Sequence, residues 1–480
     1  MELQKPQDPP RVLIFPLPIQ GNVNSTLKLG ELLALEGLHV TYLTTNHIHN
    51  RLLLYSNIQP RLSSYPGFLF NTISDGLPPD HRRSFAEVLF SMHATAKPLL
   101  REILVSDKFP SINCIISDAI LGSFTNEIAD ELGIPIFHFC SISACCFWAY
   151  FPVPKLIETG ELPVKGKEDM DRLIKGLPGM EGFLRCRDLP SFCQVSDTSD
   201  SHLQQLVQMT QHSARAKGII LNTFEDLEGP ILSHIQTMCP KIYPIGPLHA
   251  HLKHRLNRKE EAAPPLKSSS IFKVDRSCLE WLDAQPSKSV IYISFGSIAT
   301  TTKEELMEFW YGLVNSKKRF LWVIRPDLVT GEGVGDRIPV ELSDGTRERG
   351  VIVEWAPQEE VIAHEAVGGF VTHSGWNSTL ESIVAEVPMI CWPYFADQQI
   401  NSRYVGEVWK FGMDMKDVCD RKVVEKMVND LMVERREEFV RSTAVMAALA
   451  RKSVSEGGSS YCNFDRLVKD IKVASIVNIK

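Results

Sequence analysis

The chain has 480 residues, 44% hydrophobic and 23% charged; this is a globular composition on a chain too long for one ordinary core, so two domains are expected. A net charge of −7 without a long basic run argues against nucleic acid or an anionic membrane as partner. Eleven cysteines, an odd count with no C-x-x-C spacing, suggest neither a disulfide framework nor a zinc site, and with a polar, Pro-rich Met1–Arg11 in place of a secretory leader the expected location is the cytosol.

In chain order, Arg11 to Pro16 reads as a strand. A turn at Gln20-Gly21-Asn22 follows, then a helix carrying Leu27, Leu29, Leu32, Leu33 and Leu35. His39 to Thr44, Cys114 to Ser117 and Ile134 to Phe139 read as strands, with a helix over Phe124 to Leu132. The apolar stretch Gly133 to Pro154 is interrupted by His138 and serines and holds prolines at its end, which fits a buried strand, loop and helix better than a membrane span. Gly246 to Ser270 changes character, with a charged run, Pro264-Pro265 and consecutive serines, and reads as a mobile connection. The strand and helix rhythm then restarts at Ser289 to Ser294 and runs through Glu304 to Asn315, Arg319 to Arg325, Val351 to Glu354, Gly368 to Thr372, Ser378 to Ala385 and Met389 to Trp392. Alternation of this kind implies two α/β domains, each a parallel sheet covered by helices, with a ligand in the cleft they share.

The segment Trp355 to Gln398, WAPQEEVIAHEAVGGFVTHSGWNSTLESIVAEVPMICWPYFADQ, resembles the signature box of the plant secondary-product UDP-glycosyltransferases. Weaker similarity covers essentially the whole chain, including PLPIQGNVNSTLKL from Pro16, IISDA at Ile115 to Ala119 and SFGS at Ser294 to Ser297. The resemblance implies the GT-B architecture: two Rossmann-like doubly wound domains facing across a cleft. Residues 1–245 would bind the acceptor, 246–275 would link the domains, 276–455 would bind the UDP-sugar, and 456–480 would form a helix packing back on the first domain. It further implies a monomer that uses UDP-glucose as co-substrate, needs no other cofactor or metal, and inverts the anomeric carbon to give a β-glucoside.

Within the box the resemblance gives each residue a task that its chemistry suits. Trp355 offers a flat face for uracil and, with Ala356, opens the nucleotide site; taken alone it reads more readily as an ordinary core tryptophan. Gln358 and Glu381 match ribose-binding positions, a carboxylate being suited to neighbouring hydroxyls. His373, Asn377 and Ser378 match phosphate contacts at the start of a helix, where backbone N–H groups and the dipole favour a diphosphate; a plain helix cap by Ser or Asn is the other reading. Ser297 would add a hydroxyl near the same phosphates. Asp397 and Gln398 match the positions that bind sugar hydroxyls, with Gln398 pointing to glucose, and Trp376 would line the sugar's far side; otherwise Asp397 and Gln398 simply begin a solvated helix.

The chain departs from the family at the general base. The usual histidine after the first strand is Asn22 here, while Asp118 retains the partner carboxylate. Three outcomes follow: transfer without a strong base to an acidic hydroxyl, forgoing the roughly 10²–10⁴-fold that a base supplies; Asp118 acting as base directly or through water; or a UDP-sugar-binding homologue without turnover. Glu386 stands where the family has glycine, which costs about 1 kcal/mol if the position needs positive φ, and Ser374 replaces a common cysteine.

The acceptor pocket is expected from Ile19 to Asn24, Phe137 to Phe151 and Gly179 to Gln194, whose apolar content suits a terpenoid or aromatic alcohol, although Cys145 to Trp148 reads equally as helix core; Ser141 resembles a residue within reach of the donor sugar. The resemblance around Pro16 to Leu33 is to iridoid and other terpenoid glucosyltransferases. His47 with His49, and the trio His249, His251 and His254, have spacings that a metal could use, but the trio sits in the charged connection and reads as solvated. A nicotinamide-dependent oxidoreductase is disfavoured, since no G-x-G-x-x-G follows the first strand.

Overall fold

The near-continuous apolar runs of the sequence become strands buried on both faces, as parallel sheets require. The computed structural model describes residues 9–107, 109–258, 269–330, 346, 349–416 and 419–477. The chain forms two compact units, one of Met1–Ala144, Gln205–Ile271 and Ser453–Lys480, the other of Cys145–Gln204 and Phe272–Lys452.

The first unit holds β1 (Arg11–Phe15), β2 (His39–Thr45), β3 (Phe68–Ile73), β4 (Cys114–Asp118), β5 (Ile136–Cys140), β6 (Ile219–Leu221) and β7 (Ile242–Pro244). They form one parallel sheet in the order β3-β2-β1-β4-β5-β6-β7. The C-terminal helix Ser459–Val477 lies against β7, where Tyr243 donates to Asp470 at 2.5 Å and Ser460 donates to the Gly246 carbonyl at 2.6 Å.

The second unit holds β8 (Val290–Ser294), β9 (Thr301–Thr302), β10 (Arg319–Val323), β11 (Val329–Thr330), β12 (Gly350–Val353), β13 (Val367–Thr372), β14 (Met389–Cys391) and β15 (Gly412–Asp414). Its main sheet is parallel in the order β12-β10-β8-β13-β14-β15, and β9 pairs with β11 alone. An aromatic core fixes the ends of β8 and β14: Phe309 stacks on Trp392 at 5.3 Å, and Phe295 meets Trp392 edge-on at 5.3 Å. Each such buried ring contributes on the order of 1.5–3 kcal/mol.

Both sheets reverse their winding once, between β1 and β4 in the first unit and between β8 and β13 in the second. Loops on either side of such a reversal leave the sheet in opposite directions and open a crevice at the strands' carboxyl ends. Asn22 follows β1 and Asp118 ends β4; Ser297 follows β8 and His373 follows β13.

The structure corrects three expectations. The helix after β1 begins at Gln20, so Asn22 lies in its first turn and not in a preceding loop. Leu248–Asn257, read as mobile, is a helix on which His251 is fully buried, donating from Nδ1 to the Ile245 carbonyl at 2.8 Å and packing on Phe464 at 5.3 Å. That burial, and not a metal, accounts for the middle histidine of the trio; 259–268 lie outside the described residues. Gly179 to Gln194 belongs with the second unit. Among the described residues no helix is long and apolar enough to cross a membrane.

The helix Trp376–Val384 ends with Glu386 at a φ of +59°. The Glu386 N–H reaches the Ile383 carbonyl at 3.2 Å and the Val387 N–H the Ser382 carbonyl at 3.1 Å, a Schellman close whose left-handed residue is normally glycine. Its carboxylate pairs with Arg451 at 2.6 Å on the surface, where such pairs contribute little. Glu386→Gly should therefore unfold later than Glu386→Ala by about 1 kcal/mol, read by denaturant melts, because only glycine relieves the strain while both lose the ion pair.

Candidate active site

In the first unit, burial brings an amide against a carboxylate. Asn22 is 8% and Asp118 3% exposed. The Asn22 Nδ2 donates to Asp118 Oδ2 at 2.5 Å and to Ser141 Oγ at 2.9 Å. An ionised carboxylate only accepts, which fixes the amide's orientation. Its Oδ1 makes no hydrogen bond among the described residues. The Ile120 N–H reaches Asp118 Oδ1 at 3.3 Å and the Leu17 N–H reaches Oδ2 at 3.5 Å. Burial pushes the Asp118 carboxyl up to about 6, against the opposing pull of these three donors.

In the second unit, strand β8 runs into Gly296, which has a φ of +72°, and β13 runs into His373. The imidazole fills the space that two glycines leave: a Cβ on Gly296 or on Gly375 would lie 2.5 Å from its Nε2. Burial, with the charge of Arg325 next, lowers the His373 pKa to about 4, so the ring is neutral near pH 7. Arg325, 4% exposed, donates to the Ser297 and Ala299 carbonyls and so fixes the loop that carries Ser297. This arginine was not singled out from the sequence, where it reads as the ordinary end of a strand.

Ser374 takes a left-handed turn at φ +64° and Gly375 is the N-cap of the helix Trp376–Val384, making no side-chain cap. The cap reading for Ser378 and Asn377 therefore does not hold; Asn377 and Ser378 lie in the helix's first turn. Ser378 Oγ instead accepts from Gln358 Nε2 at 2.9 Å, and the same nitrogen donates to Glu381 Oε2 at 2.7 Å. Tyr292 donates to Gln358 Oε1 at 3.3 Å. Gln358, Ser378 and Glu381 thus form one hydrogen-bonded group. Trp355 is half-buried with Phe272 against its ring at 4.4 Å, and Ala356 is buried beside it.

Trp376, expected beside the sugar, is 3% exposed, with its ring 6.0 Å from that of Trp409. Asp397 and Gln398 are buried, against the solvated-helix reading. Gln398 Oε1 accepts from the Tyr394 and Phe395 N–H groups at 2.8 and 3.1 Å, which commits its carbonyl end and points to Nε2 as the end available to a ligand. Asn401, which the sequence did not single out, donates to both the Ser374 carbonyl at 2.9 Å and Asp397 Oδ2 at 2.8 Å. One amide therefore ties the turn before the helix to the acidic residue of the box. Of the histidine pair after β2, His47 has its pKa lowered to about 4 by burial and by Arg83 and Arg51. No group of three or more metal-ligating side chains occurs among the described residues.

Residues 272–437 match the family described as UDP-glucoronosyl and UDP-glucosyl transferase. The chain is 54% identical to a 7-deoxyloganetic acid glucosyl transferase of Catharanthus roseus, covering 98% of this chain and 99% of that protein. It is 39% identical to a 7-deoxyloganetin glucosyltransferase of the same plant, covering 96% of each. Among solved structures it is similar to Os79 from O. sativa in complex with UDP, with a TM-score of 0.78 and 27% identity over 96% of this chain and 100% of that one.

Gly375 has a φ of −59°, which any residue accepts, so Gly375→Ala tests the steric fit of His373 alone. Calorimetry should show UDP affinity lowered at least about tenfold, equivalent to about 1.4 kcal/mol, with the melting temperature little changed.

Proposed function

The chain belongs to the UDP-glucoronosyl and UDP-glucosyl transferase family, and from that premise we propose that it moves glucose from UDP-glucose to an oxygen of an iridoid or related terpenoid acceptor, with inversion to a β-glucoside. The donor binds the second unit: Trp355 against uracil, Gln358 and Glu381 on ribose, and Ser297, His373, Asn377 and Ser378 around the diphosphate. Asp397 and Gln398 hold the sugar hydroxyls. Backbone N–H groups at the start of the helix Trp376–Val384 stabilise the charge that grows on departing UDP.

The observation that carries the acceptor reading is the orientation of Asn22. Its nitrogen is committed to Asp118 and Ser141, so its oxygen accepts from the acceptor's O–H and aims it. Asn22 cannot take the proton. Both Asp118 oxygens already accept N–H bonds, which favours Asp118 as the anchor of Asn22 over Asp118 as the base. An acceptor hydroxyl that ionises with little help, such as a hemiacetal's, suits such a site. Transfer, and not binding alone, is supported by the glucosyltransferase names of the relatives. Eleven cysteines outside any disulfide, nine of them buried, suit a reducing cytosol.

Incubation with UDP-glucose and a panel of terpenoid acids and alcohols should release UDP only with acceptor and give a product heavier by one hexose; UDP release independent of acceptor would count against the proposal. On an unactivated alcohol, Asn22→His should raise kcat by about 10²–10⁴-fold, the contribution of a general base, while transfer to the acidic acceptor changes little. The ionised Asp118 accepts from Asn22, so kcat/KM should fall as pH drops through about 6. That acid limb should vanish in Asn22→Ala; its survival there would assign the proton to Asp118 itself.

A further inference from the structure

The short segment from Phe183 to Cys193 touches the sugar-reading residues at both ends of their helix, Gln398–Arg403. At the near end Ser191 binds both backbone groups of Ala396: its Oγ accepts from the Ala396 N–H at 2.7 Å, and its N–H donates to the Ala396 carbonyl at 3.1 Å. Ala396 has a φ of +58°, a conformation that alanine holds only when its surroundings impose it, and it directly precedes Asp397. At the far end Arg403 donates to the Phe183 carbonyl from Nε at 3.0 Å and from Nη2 at 2.8 Å.

Between these contacts lies Asp188, fully buried. Its carboxylate accepts from Lys416 Nζ at 2.6 Å and from Arg185 Nε at 2.9 Å, and it forms an ion pair with the Arg403 guanidinium, whose Nε lies 3.3 Å away. A carboxylate held by three cations does not drift, because each displacement lengthens several charge-assisted bonds at once. The segment therefore fixes both the turn before Asp397 and the last residue of the helix that Gln398 begins.

We propose that Ser191 and Asp188 are positioning residues for donor selectivity: they set where Asp397 and Gln398 stand, and so which hexose of a UDP-sugar the site accepts. This rests on the reading that Asp397 and Gln398 bind the sugar. Neither residue needs to touch the donor. Loss of the Ser191 hydroxyl lets the Ala396 turn relax and moves the two sugar contacts, while the uracil, ribose and diphosphate contacts elsewhere in the unit stay in place.

The test compares Ser191→Ala, Ser191→Thr and Asp188→Asn with the direct variant Gln398→Ala in the full chain. It reads UDP affinity by calorimetry and kcat and KM with UDP-glucose, UDP-galactose and UDP-xylose. Ser191→Ala should lower kcat/KM for UDP-glucose about tenfold, the scale of one lost hydrogen bond, and narrow the preference for glucose by a similar factor. UDP affinity should stay within about twofold, and Ser191→Thr, which keeps a hydroxyl, should restore the preference. Asp188→Asn should move the same ratio, provided it folds; Ser191→Ala carries the test if it does not. Wild-type selectivity in Ser191→Ala alongside an altered Gln398→Ala would overturn the positioning role and leave the sugar site standing. Equal loss of UDP and UDP-glucose binding in Ser191→Ala would also overturn it, as general damage. Wild-type selectivity in Gln398→Ala would instead sink the sugar-site reading, and the positioning role with it.

Discussion

The donor half of the molecule is organised around the room that Gly296 and Gly375 leave for one imidazole. Because the His373 ring sits against both glycines, the loop after β8 and the start of the helix after β13 cannot move independently. Phe295, locked in the aromatic core, holds the first of these from behind. Arg325 holds it from the side through the Ser297 and Ala299 carbonyls. The ring itself is neutral near pH 7, so it serves as a hydrogen-bonding wedge and not as a charge. The helix start, where peptide dipoles align, and the buried guanidinium of Arg325 both bring positive potential to this part of the unit.

The first unit applies the same economy of space to a different problem. In a histidine and aspartate pair, the carboxylate steadies an imidazole that gains a proton. With Asn22 in that place the hydrogen bond to Asp118 survives and the proton uptake does not. On the proposed function the barrier then rests on the leaving group and on the acidity of the acceptor. A general base contributes about 10²–10⁴-fold, and removal of a single donor from an oxyanion-type site costs about 10²–10³ in kcat. Those magnitudes are comparable, so an acceptor that ionises readily can offset the missing base.

Nine strands of the two main sheets and the residues of the box were legible in the sequence because they are local, as apolar runs bounded by turns and one uninterrupted motif, whereas β3, β6, β7 and β15 were not singled out. The conformation of Glu386 was legible through the resemblance, since the family has glycine at that position. The contacts that organise the site were not. Asp188 reads as a surface acid in Arg-Cys-Arg-Asp, and only partners more than two hundred positions away, Lys416 and Arg403, show that it is buried. The helix Leu248–Asn257 was hidden by its polar composition, because three histidines and a lysine obscure the single face on which His251 packs. The assignment of Gly179 to Gln194 failed on chain order: the segment precedes β6 yet packs within the second unit.

That a fully buried carboxylate is spent on this segment is itself informative. Desolvation alone would raise the Asp188 pKa, but hydrogen bonds from Arg185 and the charge and hydrogen bond of Lys416 outweigh it and hold the carboxyl below its usual value. Such clusters seldom stabilise a fold more than an apolar cluster of the same volume would, since desolvating the ions offsets most of their attraction. What they supply is direction: apolar side chains tolerate sliding, whereas a carboxylate shared among Lys416, Arg185 and Arg403 fixes distances and angles together. The cluster lies a few residues from Ala396, where the backbone is held in a conformation it would otherwise leave. Directional bonding is thus concentrated beside Asp397 and Gln398, the residues proposed to tell one hexose from another by the placement of hydroxyl groups, a discrimination that apolar packing cannot make.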